Sequence, residues 1–399
     1  MHRGTGRKSQ VSTAAYEDAR ETVGRFVGSR PGDGVVFVRN TTEAINVLSA
    51  ALPPGTRVLS SMVEHHANML PWRCHDVRLL PFAPSAEALL ATCERELREG
   101  IELVAVTGAS NVTGEVWPVA ELARLAHRHG ARLFVDAAQL APHRPIDMAA
   151  TGVDYLAFSG HKLYAPFGAG ALVGDLASLH DAAPLIEGGG AVELVTPDDV
   201  IWTGGPERYE AGSPNVMGVV ALAAACRHLL ELGMDTVAEH ERALSRRLWD
   251  ALAHVRGLRS LTLWAAGSAD RVGVATFNLD GYRHPLLASI LSAEHAIGVR
   301  HGCFCAHPLI SHLLGLDGAE VGRLETQLRA GTRPTLPGAV RASLGLGSTV
   351  EDVEELAGAL EEISRRGPAA RYAHVAELDE YEPVAGSARM QPGKATLAA

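Results

Sequence analysis

The sequence has very little lysine. Of its 36 basic residues, only Lys8, Lys162 and Lys394 are lysines, and two of these lie close to an end of the chain. Arginine can replace lysine where only positive charge is needed, but a guanidinium group stays protonated and does not form covalent bonds with aldehydes. An internal lysine kept in such a sequence is therefore a candidate for covalent chemistry, although it could also be an ordinary surface residue.

Other features that the sequence lacks exclude several classes of protein. No run approaches the ~20 apolar residues of a transmembrane helix, and the N-terminus MHRGTGRKSQ lacks the apolar segment of a signal peptide. The net charge of −10 and the absence of basic runs argue against nucleic acid or an anionic membrane as a partner. Five cysteines, an odd and sparse set, predict reduced thiols in the cytoplasm and not a disulfide framework.

The first half of the chain alternates short apolar runs with helical patterns. Near-continuous apolar strands between helices predict an α/β fold with a mostly parallel sheet buried on both faces. The last run could be antiparallel to its neighbours. The seven runs are GVVFVR (34–39), RVLSS (57–61), VRLLPF (77–82), ELVAVTGAS (102–110), ARLFVDA (131–137), YLAFSG (155–160) and GAGALVG (168–174).

The second half has a different pattern, which predicts a smaller α+β domain. One long helical stretch covers about 216–254, and strands at 273–279 and 340–346 alternate with helices near 285–295 and 348–366. We therefore predict a large domain over residues 12–245 and a small domain over 246–366 together with 1–11. Residues 367–399 show no apolar periodicity and are predicted to form a flexible tail.

Polar residues follow the apolar runs of the first half. Ligands of an open parallel sheet bind outside the carboxyl ends of its strands, so these side chains are predicted to share one site. The residues are Thr41, Thr42, His65, Asn111, Asp136, Gln139, Ser159, His161 and Lys162.

The chemistry of these groups suits pyridoxal phosphate. An amine on Lys162 could hold an aldehyde, Asp136 could pair with a protonated ring nitrogen, and His65 could stack on the ring. Thr41 and Thr42 precede a helix, where hydroxyl and N–H groups suit a phosphate. Taken singly, the threonines could be a helix cap, Asp136 could cap a turn, and His65 could lie on the surface or bind metal. No spacing in the sequence matches a metal motif, so no metal is predicted.

A series of segments resembles class V aminotransferase-fold enzymes, which belong to fold type I of the pyridoxal phosphate proteins. The resemblance is strongest to group II cysteine desulfurases. It implies a mostly parallel seven-stranded sheet flanked by helices and a smaller C-terminal domain. The segments are NTTEAIN, VEHHAN, GASNVTGEVWPV, FVDAAQLAPHRPIDM, DYLAFSGHKLYAPFGAGALVG, the GGG at 188–190, RYEAGSPN, VRHGCFCAHPL and VRASLGLGSTVEDVE.

The resemblance also implies a role for individual residues. Lys162 is the Schiff-base lysine, Asp136 pairs with the pyridine nitrogen, Gln139 bonds the phenolic oxygen, and His65 stacks on the ring. The phosphate is held by Thr42, Ser159 and His161, with help from Thr41. Ser213 corresponds to a hydroxyl that reaches the phosphate of a neighbouring subunit, which implies a homodimer with shared active sites. The substrate side is lined by Asn111, Arg341, Arg300 and His2.

The segment FCAHPL bears on the reaction. Cys305 matches the desulfurase nucleophile, whose thiolate takes sulfur from cysteine as a persulfide, releases alanine and passes the sulfur to an acceptor protein. His301, His307 and Arg300 are close enough in sequence to favour the thiolate. Alternatively, Cys303 and Cys305 could be buried small hydrophobes or, on weaker grounds, a metal pair. On the first reading, Cys303 is auxiliary or structural.

The sequence departs from the cysteine desulfurase pattern in two places. GCFC followed by a long insertion over about 310–337 is also similar to molybdenum-cofactor sulfurase domains, and the family usually has further residues before the HRG that contains His2.

A C–S lyase, an epimerase or an aminotransferase on the same fold would use Lys162 and Asp136 but would not need Cys305. A non-catalytic binding module is the third possibility.

Overall fold

The computed structural model describes residues 4–179, 183–265, 267–332, 334–377 and 379–384. The helices are α1 (Arg7–Phe26), α2 (Thr41–Ala51), α3 (Ala86–Leu97), α4 (Val119–Arg128), α5 (Met148–Thr151), α6 (Val216–Leu232), α7 (Met234–Ala253), α8 (His284–His295), α9 (His307–Leu313), α10 (Gly318–Arg329) and α11 (Val350–Arg366). The strands are β1 (Gly34–Val38), β2 (Arg57–Ser61), β3 (Asp76–Leu80), β4 (Leu103–Thr107), β5 (Arg132–Asp136), β6 (Tyr155–Ser159), β7 (Gly170–Gly174), β8 (Val192–Val195), β9 (Val200–Trp202), β10 (Leu258–Leu261), β11 (Val274–Leu279), β12 (Arg300–Gly302), β13 (Ala339–Ser343), β14 (Tyr372–Val375) and β15 (Glu380–Pro383).

The chain divides into two compact units. Unit 1 contains the described residues of 1–109 and 117–238, and unit 2 contains 110–116 and the described residues from 239 onward. The division at 238 lies close to the predicted 245. The assignment of residues 1–11 to the small domain is corrected, because α1 begins at Arg7 and packs on α6 within unit 1.

Unit 1 is built on a seven-stranded, mostly parallel sheet with the order β1-β7-β6-β5-β4-β2-β3. Strand β7 is antiparallel to both of its neighbours, and the other pairs are parallel. All five residues of β4, β6 and β7 are buried, as expected for strands covered on both faces. The prediction of a mostly parallel sheet is therefore confirmed, and the direction of the Gly170–Gly174 strand, which the sequence left open, is antiparallel.

The core of unit 1 contains large aromatic side chains. Trp72, Phe134 and Tyr155 are fully buried, and the Trp72 and Phe134 rings meet edge to face with centroids 5.8 Å apart. Burial of each such side chain contributes roughly 1.5–3 kcal/mol.

Unit 2 contains a four-stranded antiparallel sheet with the order β10-β11-β13-β12. Its core includes Phe277, Ile290, Leu248 and Leu360, contributed by a strand and three helices. The prediction of a small α+β domain agrees with this arrangement. The sequence did not indicate that residues 110–116 belong to this unit.

Two local predictions are corrected. The single helical stretch at 216–254 is two helices that break at Gly233, whose φ of +82° favours glycine. In the predicted flexible tail, β14 (Tyr372–Val375) and β15 (Glu380–Pro383) pair as antiparallel strands, and residues 385–399 lie outside the described residues. The 310–337 insertion contains α10, which has no buried residue among those described.

In the described part of the chain, no single helix is long and apolar enough to cross a membrane. Helices α6 and α7 meet the length and composition criteria only when taken together, and they are bent by 78°.

Candidate functional site

The N-terminus of α2 contacts the end of β6 in unit 1. Thr41 donates its backbone N–H to Ser159 Oγ at 2.8 Å, and the two hydroxyl oxygens lie 2.6 Å apart. Asn40 caps the helix, because its side chain accepts from Glu43 N–H at 3.0 Å. The alternative in which a threonine caps the helix is therefore wrong. Buried hydroxyls at a helix N-terminus, with exposed Thr42 beside them, form an arrangement suited to a phosphate.

Lys162 lies in the turn that follows β6. Residues Gly160–Leu163 form one 3₁₀ turn, and a Cβ on Gly160 would lie 2.7 Å from the carbonyl oxygen of Ala169. Only glycine fits at that position. The half-buried Lys162 donates from Nζ to Gln139 Oε1 at 3.3 Å. Burial and the charge of Lys162 lower the pKa of His161, so its imidazole is neutral at pH 7.

Asp136 ends β5 and is buried, with 5% of its surface exposed. Burial raises the pKa of its carboxyl group, while the N–H of Ala138 and the charge of Lys162 oppose that shift. Oδ1 accepts from Ala138 N–H at 2.9 Å, and Oδ2 has no hydrogen-bond partner among the described residues. The neighbouring Gln139 lies 3.2 Å, Nε2 to Nε2, from His143. A carboxylate oxygen without a donor, on a residue that is itself buried, suits a protonated ring nitrogen.

Glu64 is a site residue that sequence reasoning missed. It is fully buried, and its carboxylate accepts from Ser61 Oγ at 2.6 Å, Asn68 Nδ2 at 2.7 Å and Thr107 N–H at 3.1 Å. Burial, with a smaller contribution from the charge of Asp136, raises its pKa to about 8. Its only sequence signal is its place directly before His65 after an apolar strand.

His65 is half-buried and its protonation is set by the backbone. Its Nδ1 accepts from Ala67 N–H at 3.0 Å. An accepting ring nitrogen carries no proton, so the imidazole is neutral with its proton on Nε2. The flat face of a neutral imidazole can stack on an aromatic ring.

Ser213 lies exposed in the loop before α6. The next residues are fixed by Asn215, whose side chain accepts from Gly218 N–H at 3.0 Å and donates to the carbonyl oxygen of Phe167 at 2.6 Å. The hydroxyl of Ser213 is thus held on the surface beside an ordered helix start.

In unit 2, Arg341 and Asn111 form one cluster. Arg341 donates to the Asn111 carbonyl oxygen at 2.8 Å, and Asn111 Nδ2 donates to the Phe304 carbonyl oxygen at 2.8 Å. The Phe304 ring lies 5.1 Å from the Arg341 guanidinium. Arg341 Nε is buried and has no hydrogen-bond partner in the described part of the chain. Burial and the charge of Arg300 lower the pKa of Arg341 to about 10, which indicates a site that favours an anion.

Cys305 lies in a strained turn of unit 2. Ala306 N–H donates to the Cys303 carbonyl oxygen at 2.9 Å, and the central residues Phe304 and Cys305 have φ of +53° and +55°. Such values cost about 1–2 kcal/mol per non-glycine residue. Cys305 is exposed, so the alternative in which it is a buried hydrophobe is wrong. Cys303 is half-buried.

Each unit gathers part of the predicted set. Unit 1 brings together Thr41 with Ser159, and Asp136 and Gln139 with Lys162; unit 2 brings together Asn111 with Arg341. His2 lies outside the described residues. In the ranges that the structure describes, no group of three or more His, Cys, Asp or Glu side chains could hold a metal ion.

Comparisons with known proteins agree with these observations. The family model of aminotransferase class-V matches residues 1–356. A cysteine desulfurase from Shigella flexneri is 34% identical over 377 residues, which are 92% of this chain and 86% of that protein. One from Dickeya dadantii is 37% identical over 378 residues, covering 92% and 85%.

Solved structures give the same result. A cysteine desulfurase from Thermococcus onnurineus has a TM-score of 0.79 and 31% identity, covering 91% of this chain and 87% of that one. An Escherichia coli cysteine desulfurase has a TM-score of 0.75 and 31% identity, covering 91% and 86%. These findings confirm the predicted pyridoxal phosphate fold type I and the resemblance to cysteine desulfurases. The chain belongs to the aminotransferase class-V family.

Proposed function

We propose that this protein is a pyridoxal phosphate-dependent cysteine desulfurase. It converts L-cysteine to L-alanine and keeps the sulfur as a persulfide on Cys305 for transfer to an acceptor. The observation that carries the proposal is the exposed Cys305 thiol in a turn with two strained residues. Strain of this kind persists where the surroundings enforce it, and it is concentrated at functional sites.

The residues of unit 1 fit pyridoxal phosphate. Asp136, a buried residue, offers an unpaired carboxylate oxygen to a ring nitrogen, and Thr41 and Ser159 offer hydroxyls at a helix N-terminus to a phosphate. Thr42 and His161 complete the proposed phosphate set, while His65 stacks on the ring and Gln139 bonds its phenolic oxygen. When bound, the cofactor supplies an electron sink for negative charge at the substrate Cα.

The substrate is proposed to bind through its carboxylate. Arg341 has a buried Nε without a partner and a pKa held low by burial and by Arg300, so a carboxylate would supply the missing acceptor and charge. Asn111 adds an amide beside it, and its backbone already orients Arg341. We propose that Arg300 and His2 line the same side.

Two groups then act on the bound cysteine. Lys162 accepts the proton from Cα, and a lysine can do so because its amine, unlike guanidinium, loses its proton. The Cys305 thiolate attacks the substrate sulfur, the bond between that sulfur and Cβ breaks, and Cβ gains a proton. Alanine leaves and the substrate sulfur stays on Cys305.

The wider setting is also a proposal. Ser213 is exposed before α6, in the position from which its hydroxyl could reach the phosphate of a second subunit in a homodimer. Five free cysteines, two of them buried, suit a reducing compartment such as the cytoplasm. The sulfur acceptor is proposed to be a protein that approaches exposed Cys305.

The test is incubation of the purified protein with L-cysteine while alanine, sulfide, pyruvate and ammonia are measured together. We expect alanine, and loss of its formation in Cys305→Ser. Cys74→Ser is the matched control, because Cys74 is also exposed. Pyruvate and ammonia in place of alanine, or a Cys305→Ser variant with full turnover, would replace the desulfurase by the lyase, epimerase or aminotransferase alternative.

A further inference from the structure

Phe304 contacts two residues of the proposed carboxylate site. Its carbonyl oxygen accepts from Asn111 Nδ2 at 2.8 Å, and its ring centroid lies 5.1 Å from the guanidinium carbon of Arg341. Arg341 Nη1 in turn donates to the Asn111 carbonyl oxygen at 2.8 Å. The three residues, all in unit 2, therefore contact one another in a closed triangle.

The ring of Phe304 restricts how Arg341 can hold an anion. A planar guanidinium offers its faces to aromatic rings and its edges to hydrogen-bond acceptors. Phe304 lies over the guanidinium of Arg341, and Asn111 accepts a hydrogen bond from Nη1. Nε has no hydrogen-bond partner in the described part of the chain. The edge formed by Nε and Nη2 is therefore left for the two oxygens of a carboxylate, and the ring sets the plane of that edge.

The same phenylalanine directly precedes the proposed nucleophile. Phe304 and Cys305 have φ of +53° and +55°, values that non-glycine residues keep only where their surroundings enforce them. Asn111 holds the carbonyl group of Phe304, and Arg341 contacts its ring. The orientation of the carboxylate site and the backbone position of Cys305 thus depend on one residue.

A packing role alone does not account for the position of Phe304. The residue is half-buried, and it is not part of the apolar core of unit 2 that includes Phe277 and Leu360. Its ring instead covers the charged group of Arg341, and such a contact is stabilised by the attraction of a cation to the face of an aromatic ring. A leucine would fill a similar volume at this position but lacks that face.

We propose that Phe304 is a positioning residue that links the carboxylate site to the thiol. Its ring sets the plane of the Arg341 guanidinium, and its backbone, held by Asn111, sets the position of Cys305. A substrate held by its carboxylate therefore presents its sulfur to Cys305 at a fixed distance. The inference rests on the proposed desulfurase function and adds a residue to its substrate recognition.

The first experiment uses a probe with the carboxylate-to-sulfur spacing of cysteine. In 2-carboxyethyl methanethiosulfonate, as in cysteine, two carbons separate the carboxylate from the sulfur, and the corresponding carboxamide is the neutral match. A thiolate attacks the divalent sulfur of the probe, a mixed disulfide forms, and methanesulfinate leaves. All proteins carry Cys303→Ser, so that Cys305 is the only thiol of its turn. Modified peptides are mapped over time by mass spectrometry.

The measured quantity is the rate with the carboxylate probe divided by the rate with the carboxamide. We expect this ratio to be at least about 10-fold higher at Cys305 than at exposed Cys74 in the same sample, as for one charge-assisted hydrogen bond. Phe304→Leu should lower the Cys305 ratio by roughly 2- to 30-fold, the range of a cation–π contact, and Phe304→Tyr should retain it. Phe82→Leu, at another half-buried phenylalanine, is the matched control.

A Cys305 ratio equal to that of Cys74, or a Cys305 that reacts with neither probe, overturns the inference. A ratio that is unchanged in Phe304→Leu, or lowered equally in Phe304→Tyr, overturns it as well. Cys93 and Cys226 are buried, so their reaction with either probe reports unfolding. If they react in Phe304→Leu, Phe304→Met takes the place of that variant.

The second experiment measures turnover of L-cysteine. Loss of the ring removes the constraint on Arg341, so KM should rise by roughly 2- to 30-fold in Phe304→Leu and stay near the wild-type value in Phe304→Tyr. A purely structural role of Phe304 would lower kcat through a smaller folded fraction and leave KM unchanged. A lowered kcat at unchanged KM therefore overturns the positioning role.

The two experiments separate the inference from the function on which it rests. If no alanine forms from L-cysteine, the proposed function fails, while the probe ratio still decides whether Phe304 links an anion site to Cys305. If alanine forms and neither the probe ratio nor KM responds to Phe304→Leu, the function stands and the inference is wrong.

Discussion

Arg300 and Arg341 lie directly opposite each other as Cα partners on the antiparallel strands β12 and β13. Like charges at opposite positions of an antiparallel pair destabilise it. The charge of Arg300 contributes to the lowered pKa of Arg341, second to burial. A carboxylate bound at Arg341 would relieve this repulsion, as expected if the pair forms part of the proposed carboxylate site.

Arg341→Lys should therefore weaken substrate binding. Lysine keeps one positive charge but loses the planar fork that bonds a carboxylate through two nitrogens. Loss of a charge-assisted hydrogen bond is worth about 1.5–3 kcal/mol, so KM should rise by roughly 10- to 100-fold. Steady-state kinetics with L-cysteine measure this, and Arg259→Lys on exposed β10 is the control. An unchanged KM would remove Arg341 from the carboxylate site.

Lys162→Arg tests the covalent role of the amine. The guanidinium keeps the positive charge near Gln139 but can neither condense with an aldehyde nor accept a proton. Borohydride reduction and peptide mapping should find a pyridoxyl group at position 162 in the wild type and none in the variant. Turnover should fall by at least about 10²–10⁴-fold from loss of proton transfer. Lys8→Arg, at an exposed position of α1, should keep both the adduct and the activity.

An adduct retained in Lys162→Arg, or one mapped to Lys8 or Lys394, would contradict the assignment. The small number of lysines makes the result unambiguous, because the chain has only three.

Asp136→Asn tests the partner of the ring nitrogen. Asparagine fills the same volume but has no charge to hold a proton on the ring, so kcat should fall by roughly 10- to 100-fold, as for loss of one charged hydrogen bond. The variant should also release pyridoxal phosphate faster on dialysis, measured by absorbance. Asp198→Asn, in an exposed bend of unit 1, is the control. Wild-type kcat in Asp136→Asn would show that the carboxylate charge is not used.

The parts of the site that sequence predicted are those set by local pattern. Asp136 and Ser159 end apolar strands, and residues at the ends of parallel strands share one edge of a sheet, so their grouping follows from strand spacing alone. The sequence did not decide the direction of β7, because strand direction depends on pairing with neighbouring strands and not on composition.

The parts that sequence did not predict depend on contacts between distant residues. The burial of Glu64 is completed by Thr107, 43 positions away, and no local pattern encodes that pair. The pairing of β14 with β15 was missed because both strands are short and their residues are partly or fully exposed, so they lack apolar alternation. The positive φ values of Phe304 and Cys305 were also missed, because neither residue is a glycine and no local pattern indicates them.

Glu64→Gln tests whether the buried carboxyl group of Glu64 is protonated in the folded protein. With a folded pKa of about 8 against an ordinary 4.5, the folded state holds a proton that the unfolded state has lost between these pH values. The free energy of unfolding should therefore fall as pH rises from 4.5 to 8, by at most about 1.4 kcal/mol per pH unit for this group. Glutamine does not titrate, so the variant should lack this part of the slope.

The same variant should also be less stable than the wild type near pH 5, and this deficit should shrink as the wild type loses stability toward pH 8. Trp72 donates to Asn68 Oδ1 at 3.0 Å, which fixes Asn68 with its Nδ2 directed at Glu64 Oε2. A glutamine amide nitrogen at that position would face another donor, at a cost of about 1–3 kcal/mol. Denaturant unfolding at pH 5 and pH 8 measures both effects, with exposed Glu121→Gln as the control. A pH slope in Glu64→Gln equal to that of the wild type would mean that Glu64 is ionised in the folded protein and that its three donors outweigh burial.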